Sequence, residues 1–232
     1  MSTLWTALAL ATVAGMSIPA GAWLATFQTA WPEWLKSELR HGVVAFGAGA
    51  LLAAVALVLL PDGTARLQPW PAIAWFFAGA VFFSLVDKTL AERGGRSSQF
   101  IAMMMDYLPE AMALGALITV DVGAALLVAG LIALQNIPES FNAMREMSEK
   151  QPVSLWYFAL MVPLGPLAAF AGLSLPSSQD AVIGAIMLFA SGGIVFLMFQ
   201  DIAPQVPLEN TTLPTFGAIL GFGVGLAGDL LI

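Results

Sequence analysis

Residues 106–110 read Asp-Tyr-Leu-Pro-Glu, residues 135–139 read Gln-Asn-Ile-Pro-Glu, and both stretches lie well inside long apolar runs. An apolar helix of about 20 residues, rising 1.5 Å per residue, crosses roughly 30 Å of hydrocarbon. A charged side chain at that depth is costly and persists only where it is paired, protonated or coordinated. The two stretches therefore predict a helical membrane protein with a polar site in its interior.

The composition of the whole chain agrees with a membrane location. Of the 232 residues, 59% are hydrophobic and 10% are charged, which is far too apolar for a water-soluble domain. The chain contains no cysteine, so disulfides, thiolate metal ligands and thiol nucleophiles are excluded. The net charge of −7 comes in good part from carboxylates inside apolar segments, so it does not by itself indicate a cationic partner.

Apolar runs and helix breakers divide the chain into eight predicted spans. They cover residues 4–25, 41–60, 71–90, 99–120, 122–145, 154–173, 180–201 and 214–232. The connections are short and carry turn residues, as in Leu60-Pro61-Asp62-Gly63, and none is long enough for a second domain. We therefore expect a single transmembrane domain over residues 1–232. The first run is expected to be a retained helix and not a signal peptide, because no lysine or arginine precedes it.

Basic residues are distributed unevenly between the two predicted sides of the membrane. Arg66 alone falls on one side. The connections between spans one and two, three and four, and five and six hold Lys36, Arg40, Lys88, Arg93, Arg96, Arg145 and Lys150. The positive-inside rule places these three connections in the cytoplasm. The prediction is a multi-pass inner-membrane protein with both termini outside.

The two ends of the chain show matching helix interruptions. Span two ends in Leu-Leu-Pro-Asp at residues 59–62, and span seven ends in Gln-Asp-Ile-Ala-Pro at residues 200–204. Interrupted helices at matching positions of two inverted halves point to a binding site near the membrane midplane of secondary transporters. The expected fold is an all-α eight-helix bundle, in which two inverted three-helix repeats surround a central helix pair.

Spans four and five, the central pair, each place polar side chains on one helix face. In both, a polar residue lies four positions before a glutamate, and residues four apart are neighbours on a helix surface. The side chains concerned are Asp106 and Glu110 on one helix, and Gln135, Asn136 and Glu139 on the other. Both faces are thus lined with oxygen atoms.

Proline precedes each glutamate and cannot donate a backbone hydrogen bond, which frees the carbonyls of Met105 and Leu134 as further oxygen ligands. Residues 97–144 contain no lysine or arginine, so the carboxylates have no basic partner nearby in their own helices. Facing carboxylates without such a partner indicate a cation between them. The alternative is a protonated glutamate bonded to a neighbouring helix, which accounts for one Pro-Glu stretch more readily than for two.

The stretches Leu-Pro-Glu-Ala-Met-Ala-Leu-Gly (108–115) and Leu-Gln-Asn-Ile-Pro-Glu-Ser (134–140) resemble the fourth and fifth helices of the ZIP (Zrt-, Irt-like) family of divalent metal transporters. The resemblance covers most of the chain, including eight spans with both termini outside. It implies uptake of divalent metal cations by alternating access. It also implies the metal ligands Asp106, Glu110, Gln135, Asn136, Glu139 and Asp201.

The chain departs from the ZIP pattern at several of these positions. Asp106 stands where the family usually has histidine, Tyr107 where it has asparagine, and Ala111 and Ser140 where it has glycines. An all-oxygen site favours harder cations such as Mn²⁺, Fe²⁺, Mg²⁺ or Ca²⁺ over Zn²⁺, although carboxylates also bind zinc. The selectivity stays open, as does a degenerate family member that does not transport. When an ion leaves the site, the carboxylates lose its positive charge and their protonation is favoured. Whether transport is coupled to protons stays open.

Residues outside the central pair carry weaker signals. His41, at the cytoplasmic end of span two, is interpreted as an interfacial side chain and not as a ligand. Met103, Met104 and Met105 are interpreted as packing residues. Asp121 and Asp180 at the predicted outer ends fit a cation-attracting vestibule and solvated loops equally well.

Two other classes of function are weighed against transport. An intramembrane metalloenzyme lacks support, because the chain has no His-Glu-x-x-His and no Gly-x-Ser-x-Gly motif. A metal-binding membrane sensor cannot be separated from a transporter by sequence. We expect no enzymatic activity and no resident cofactor, with a divalent metal ion such as Zn²⁺, Mn²⁺ or Fe²⁺ as substrate. The expected partners are this ion and the lipid bilayer, without nucleic acid; a homodimer is compatible with this interpretation.

Overall fold

Helices account for nearly all of the described chain. The computed structural model describes residues 3–27, 40–93, 96–150, 152–175, 180–206 and 211–231. Its α-helices are α1 (Thr3–Ala25), α2 (Arg40–Ala53), α3 (Leu60–Ala65), α4 (Pro69–Arg93), α5 (Arg96–Leu117), α6 (Val122–Lys150), α7 (Trp156–Ala159), α8 (Leu164–Leu173), α9 (Asp180–Leu197) and α10 (Leu213–Leu231). Two π-helical segments, Ala54–Leu59 and Met198–Ile202, and the 3₁₀ turn Ala203–Gln205 complete them. No β-strand occurs in the described ranges, which confirms the predicted all-α class.

Seven segments within the described residues are long and apolar enough to cross a membrane. They are Thr3–Ala25, Arg40–Ala65, Pro69–Glu92, Val122–Ser148, Trp156–Leu173, Asp180–Gln200 and Leu213–Leu231, and each coincides with a predicted span. The helix α5 is not among the seven, and its sequence includes Asp106 and Glu110. Helices of this length and composition satisfy their own backbone hydrogen bonds in lipid, so the chain is a multi-pass membrane protein.

The predicted connection at Leu60-Pro61-Asp62-Gly63 is wrong. The helix continues from α2 through the segment Ala54–Leu59 into α3, and the chain turns only after Ala65. Pro61, which has no N–H to donate, follows the π-helical segment directly, where the changed hydrogen-bond pattern accommodates it without ending the helix. Span six also differs from a single helix, since α7 and α8 are separated by a short turn that ends at Pro163.

Glycines allow the helices to approach one another closely. The pairs α2 with α10, α4 with α9, α1 with α6 and α5 with α8 form the main contacts. A Cβ atom on Gly221 of α10 would overlap the carbonyl oxygen of Phe46 on α2. A Cβ atom on Gly79 of α4 would likewise overlap the carbonyl oxygen of Phe189 on α9. The hydrophobic effect does not drive helices together within lipid. Small residues at such crossings instead stabilise the helix pairs by allowing close van der Waals packing.

Side chains near the helix ends join connections that are distant in sequence. The Arg66 guanidinium donates from Nη1 to Oδ1 of Asp180 at 2.8 Å, which ties the end of α3 to the start of α9. Asp62 interacts electrostatically with Arg66 and with Asp121, which precedes α6. The connections α3–α4, α5–α6 and α8–α9 therefore lie at one end of the bundle. The side chains of Lys36, Arg93, Arg96 and Lys150, on which part of the loop-charge argument depends, lie outside the described residues.

The apolar core surrounds a small polar interior. In the described part of the chain, Asp106 and Glu110 of α5 are the only charged side chains that are buried. Buried amide and hydroxyl groups on α6 and α1 lie with them, and they are Gln135, Asn136, Ser140 and Ser17. Charged and amide groups in a bilayer interior are expensive unless they are paired. The fold thus concentrates its costly groups where α5, α6 and α1 meet.

Candidate functional site

Glu110 and Gln135 form the best-defined contact of the site. The carboxylate of Glu110 is 1% exposed and the amide of Gln135 is 3% exposed. Gln135 donates from Nε2 to both carboxylate oxygens of Glu110, at 2.6 Å to Oε1 and 2.5 Å to Oε2. This nitrogen, shared between the two carboxylate oxygens, joins α6 to α5 in the interior of the bundle.

The amide oxygen of Gln135 is buried and accepts no hydrogen bond from any described residue. A buried acceptor without a donor costs about 1–3 kcal/mol. Because the same amide directs its N–H toward Glu110, its oxygen is left free beside the carboxylates. An amide oxygen in this position can accept a hydrogen bond from water or coordinate a cation.

Three carboxylates interact with one another within the site. Glu110 interacts electrostatically with Asp106, and Glu139 interacts with both Asp106 and Glu110. Glu139 is partly exposed, whereas the other two are buried. Like charges repel more strongly in a medium of low dielectric than in water, so the three cannot all be ionised without a compensating positive charge.

The carboxylates are near one another but are not drawn together tightly. No group of three or more aspartate, glutamate or histidine side chains among the described residues is arranged to hold a metal ion. Binding of a cation at this place therefore requires amide or backbone oxygens, or a closer approach of α5 to α6. Gln135 already provides one oxygen of the required kind.

Asn136 is directed toward α1. Its Nδ2 donates to the carbonyl oxygen of Ala14 at 3.4 Å, and Ser17 donates from Oγ to the same carbonyl at 2.5 Å. Ser140 donates from Oγ to the carbonyl oxygen of Asn136 at 2.6 Å. The structure therefore joins Asn136 to α1 by its amide group, while Gln135, one residue earlier, joins α6 to α5.

The Pro-Glu stretch of α6 is held between two neighbouring helices. The helix continues through Pro138, as α5 continues through Pro109. A Cβ atom on Gly47 of α2 would lie 2.7 Å from Cγ of Pro138. On the other side, a Cβ atom on Gly21 of α1 would overlap the carbonyl oxygen of Ile137. Glycine at both positions lets α1 and α2 close on the part of α6 that carries Glu139.

Tyr107 is a residue whose place in the site the sequence analysis missed. Its side chain is 1% exposed, and its hydroxyl donates to the carbonyl oxygen of Ala11 on α1 at 3.2 Å. Cβ atoms on Gly15 of α1 or Gly165 of α8 would both overlap this hydroxyl. A signal was present in α1, where small residues recur at helical spacing on the buried face, including Ala11 and Gly15.

The remaining predicted residues are placed as follows. The side chain of Asp201 lies outside the described residues, so its predicted ligand role is not tested. Met103 belongs to the buried core, in agreement with its interpretation as a packing residue. Asp180 pairs with Arg66, and Asp121 accepts a hydrogen bond at Oδ1 from the backbone N–H of Ala124 at 2.9 Å, which is an N-terminal cap of α6.

Comparison with known proteins leaves the class of this chain at a multi-pass all-α membrane protein. No protein-family model matches the sequence, and no curated protein matches it. A more particular assignment therefore depends on the site itself.

Proposed function

We propose that this protein is a transporter that moves divalent metal cations across a membrane through a site between α5 and α6, in the manner of the ZIP family. The observation that carries the proposal is the interaction of three carboxylates, Asp106, Glu110 and Glu139, beside the unpartnered amide oxygen of Gln135. Buried acids and an acceptor oxygen at one point of a membrane bundle are costly, and a bound cation removes both costs.

The Gln135 amide N–H lies beside Glu110, where a bound cation would lie. It donates to both oxygens of Glu110 and thereby compensates part of the charge of that carboxylate. An arriving cation replaces this donor and takes one or both carboxylate oxygens as ligands. The Gln135 oxygen, which accepts no hydrogen bond from a described residue, then completes the coordination together with Asp106 and Glu139. Asn136 and Asp201 are the further ligands that the ZIP resemblance implies.

The solvent exposure of side chains along α5 and α6 supports an ion route that leads away from the site on one side only. Toward the α5–α6 connection, the helices are sealed by apolar side chains that are at most 1% exposed, namely Leu114, Leu117, Val128 and Leu131. Toward the opposite end, Asn142 and Glu146 of α6 are partly exposed, and Asn142 donates from Nδ2 to Oε1 of Glu146 at 2.7 Å.

Residues 135, 139, 142 and 146 fall on one face of a helix, so the polar stripe runs from Gln135 toward the C-terminal end of α6. This gradient favours a state that is closed at the end holding the α5–α6 connection and accessible from the other end. Alternating access would then require the apolar seal to open in turn.

The packing pattern supports two inverted three-helix repeats around α5 and α6. In this arrangement α1 corresponds to α7–α8, α2–α3 to α9, α4 to α10, and α5 to α6. The contact between α1 and α6 in one half then corresponds to the contact between α8 and α5 in the other. The α2–α10 contact likewise maps onto the α9–α4 contact, and all four contacts occur. The π-helical segments add a local match, since each precedes a proline, Pro61 in one half and Pro204 in the other.

The orientation follows from joining the loop charges to the helix-end contacts. The ion pair of Arg66 with Asp180 and the electrostatic interaction of Asp62 with Asp121 indicate that three alternate connections lie at one end of the bundle. The basic connections of the sequence belong to the opposite end, which the positive-inside rule assigns to the cytoplasm. The proposed protein is then an inner-membrane importer with both termini outside and an ion route that opens to the cytoplasm.

The decisive experiment is uptake of Mn²⁺, Fe²⁺, Zn²⁺ and Ca²⁺ into proteoliposomes that contain the wild type, Glu110→Ala or Glu139→Ala. The matched control is Glu92→Ala, which removes an exposed glutamate from the end of α4. We expect uptake by the wild type and the control, and a loss of at least about tenfold in both site variants. Equal uptake by all four proteins, or none by the wild type for any ion, would overturn the proposal.

The same liposomes separate the alternatives. A metal-binding sensor or a degenerate homologue would bind the ion, with a site that Glu110→Ala weakens, but would produce no flux. An intramembrane metalloenzyme would release a product while the ion stays outside the liposome. The transporter alone predicts ion accumulation that depends on Glu110 and Glu139.

A further inference from the structure

Tyr107 occupies a position that the proposed transport chemistry does not use. It follows Asp106 directly and lies three residues before Glu110 on α5, but its side chain points away from α6. The hydroxyl reaches α1, where it donates to the carbonyl oxygen of Ala11 at 3.2 Å. The ring is 1% exposed, so none of it is open to lipid or water.

Two glycines from two other helices make room for the hydroxyl. A Cβ atom on Gly15 of α1 would overlap the Tyr107 hydroxyl, and a Cβ atom on Gly165 of α8 would overlap it as well. Atoms packed this closely leave no free volume, and a methylene added to a well-packed interior forces side chains or backbone to move. The phenol of Tyr107 is therefore enclosed by α1 on one side and by α8 on the other.

Proline makes this enclosure important for the site. Pro109 lacks an N–H, so the carbonyl of Met105 loses its helical partner and α5 is less restrained between these residues. A rotation of α5 by about 20° would move a side-chain atom on its surface, roughly 5–6 Å from the axis, by about 2 Å. Metal–ligand distances tolerate only about 0.2 Å. A restraint on the rotation of α5 near residue 107 therefore bears on how Asp106 and Glu110 face α6.

We propose that Tyr107, held by Ala11, Gly15 and Gly165, is a positioning residue that fixes the rotation of α5 and so presents Asp106 and Glu110 to the cation. We call this arrangement the Tyr107 clamp. Its role in ion binding rests on the proposed transport function. Its geometry, however, makes a prediction about pairs of substitutions that does not depend on transport.

The two glycines differ in what remains after the hydroxyl is removed. At Gly15, the next atoms from an added Cβ are the Val162 carbonyl oxygen at 3.2 Å and Cζ of Tyr107 at 3.4 Å. At Gly165, Cζ of Tyr107 would still lie 2.5 Å away. Tyr107→Phe removes the hydroxyl and keeps Cζ. It should therefore rescue Gly15→Ala and leave Gly165→Ala impaired.

The test measures Mn²⁺ uptake and thermal unfolding for the wild type, Gly15→Ala, Gly165→Ala, Tyr107→Phe and the two double variants. Gly130→Ala on α6 is the control, because a Cβ atom there would meet nothing within 4 Å. We expect Gly15→Ala to raise the half-saturating Mn²⁺ concentration by about tenfold or more, and the added Tyr107→Phe to return it to within about threefold of Tyr107→Phe alone. Gly165→Ala should stay impaired in both backgrounds.

Each outcome decides between positioning and a role in folding alone. A side chain that serves only folding would lower the amount of folded protein and leave the half-saturating concentration unchanged, which would overturn the proposal. Rescue of both glycine variants, or of neither, would overturn the geometry of the clamp. If the wild type transports no ion, the proposed function fails. The unfolding temperatures of the same proteins then still test the clamp. Tyr107→Phe should restore the unfolding temperature of Gly15→Ala but not that of Gly165→Ala.

Discussion

Replacing Gln135 with leucine removes the amide that joins α6 to Glu110 and keeps a side chain of similar size. One Nε2 donates to both carboxylate oxygens, so the two short distances represent a single shared donor and not two independent bonds. A buried acceptor that loses its donor costs about 1–3 kcal/mol, and Glu110 is too buried for water to replace the amide. Leucine leaves both carboxylate oxygens of Glu110 without this donor but also removes the buried, unpaired Gln135 oxygen, so we expect the free energy of unfolding to fall by about 1–3 kcal/mol.

The measurement is a denaturant titration of the purified protein in mixed micelles, with and without Mn²⁺. Gln68→Leu serves as the matched control, because Gln68 is exposed in the connection before α4. A saturating ion at about 100 times its dissociation constant should stabilise the wild type by about 2.7 kcal/mol. The Gln135→Leu protein should gain less, because it has lost an oxygen ligand. An unfolding free energy within about 0.5 kcal/mol of the wild type would refute the reasoning.

Two further substitutions test the packing and the helix-end contacts. Asp180→Asn removes the ion pair with Arg66. Because Asp180 is 65% exposed, the unfolding free energy should change by less than about 1 kcal/mol. Mn²⁺ uptake should be unchanged, and a large loss of uptake would contradict this prediction. Gly221→Ala should lower the unfolding free energy by about 1–3 kcal/mol, because its Cβ would overlap the Phe46 carbonyl. Gly223→Ala, two residues further along α10 and facing open space, should be neutral, and equal effects of the two changes would argue against the α2–α10 crossing.

The sequence predicted the helical spans because hydrophobic length is a strong, local signal. The predicted span 122–145 corresponds to the helix Val122–Lys150, and the predicted span 180–201 begins with α9 at Asp180. The errors occurred at proline. Pro61 was interpreted as a breaker, but the π-helical segment before it changes which backbone groups need partners, and that depends on tertiary packing.

The candidate site was predictable as a set of residues, although their pairings were not. Helical spacing placed Gln135 and Glu139 on one face, and the structure brings Gln135 to Glu110. Spacing within one helix cannot show how two helices are rotated against each other, so the contact of Asn136 with Ala14 could not be foreseen. The enclosure of Tyr107 was equally hidden, because it depends on glycines from two helices far apart in sequence.

The π-helical segments Ala54–Leu59 and Met198–Ile202 also bear on how the chain can change in length. A π turn contains one residue more than the α turn in its place, so a single residue can be lost there while the helix remains continuous. The following residues would keep nearly the same facing, because the wider turn already absorbs the extra residue within the segment. Each segment is therefore a place where the chain can be shortened by one residue without turning the helix end beyond it.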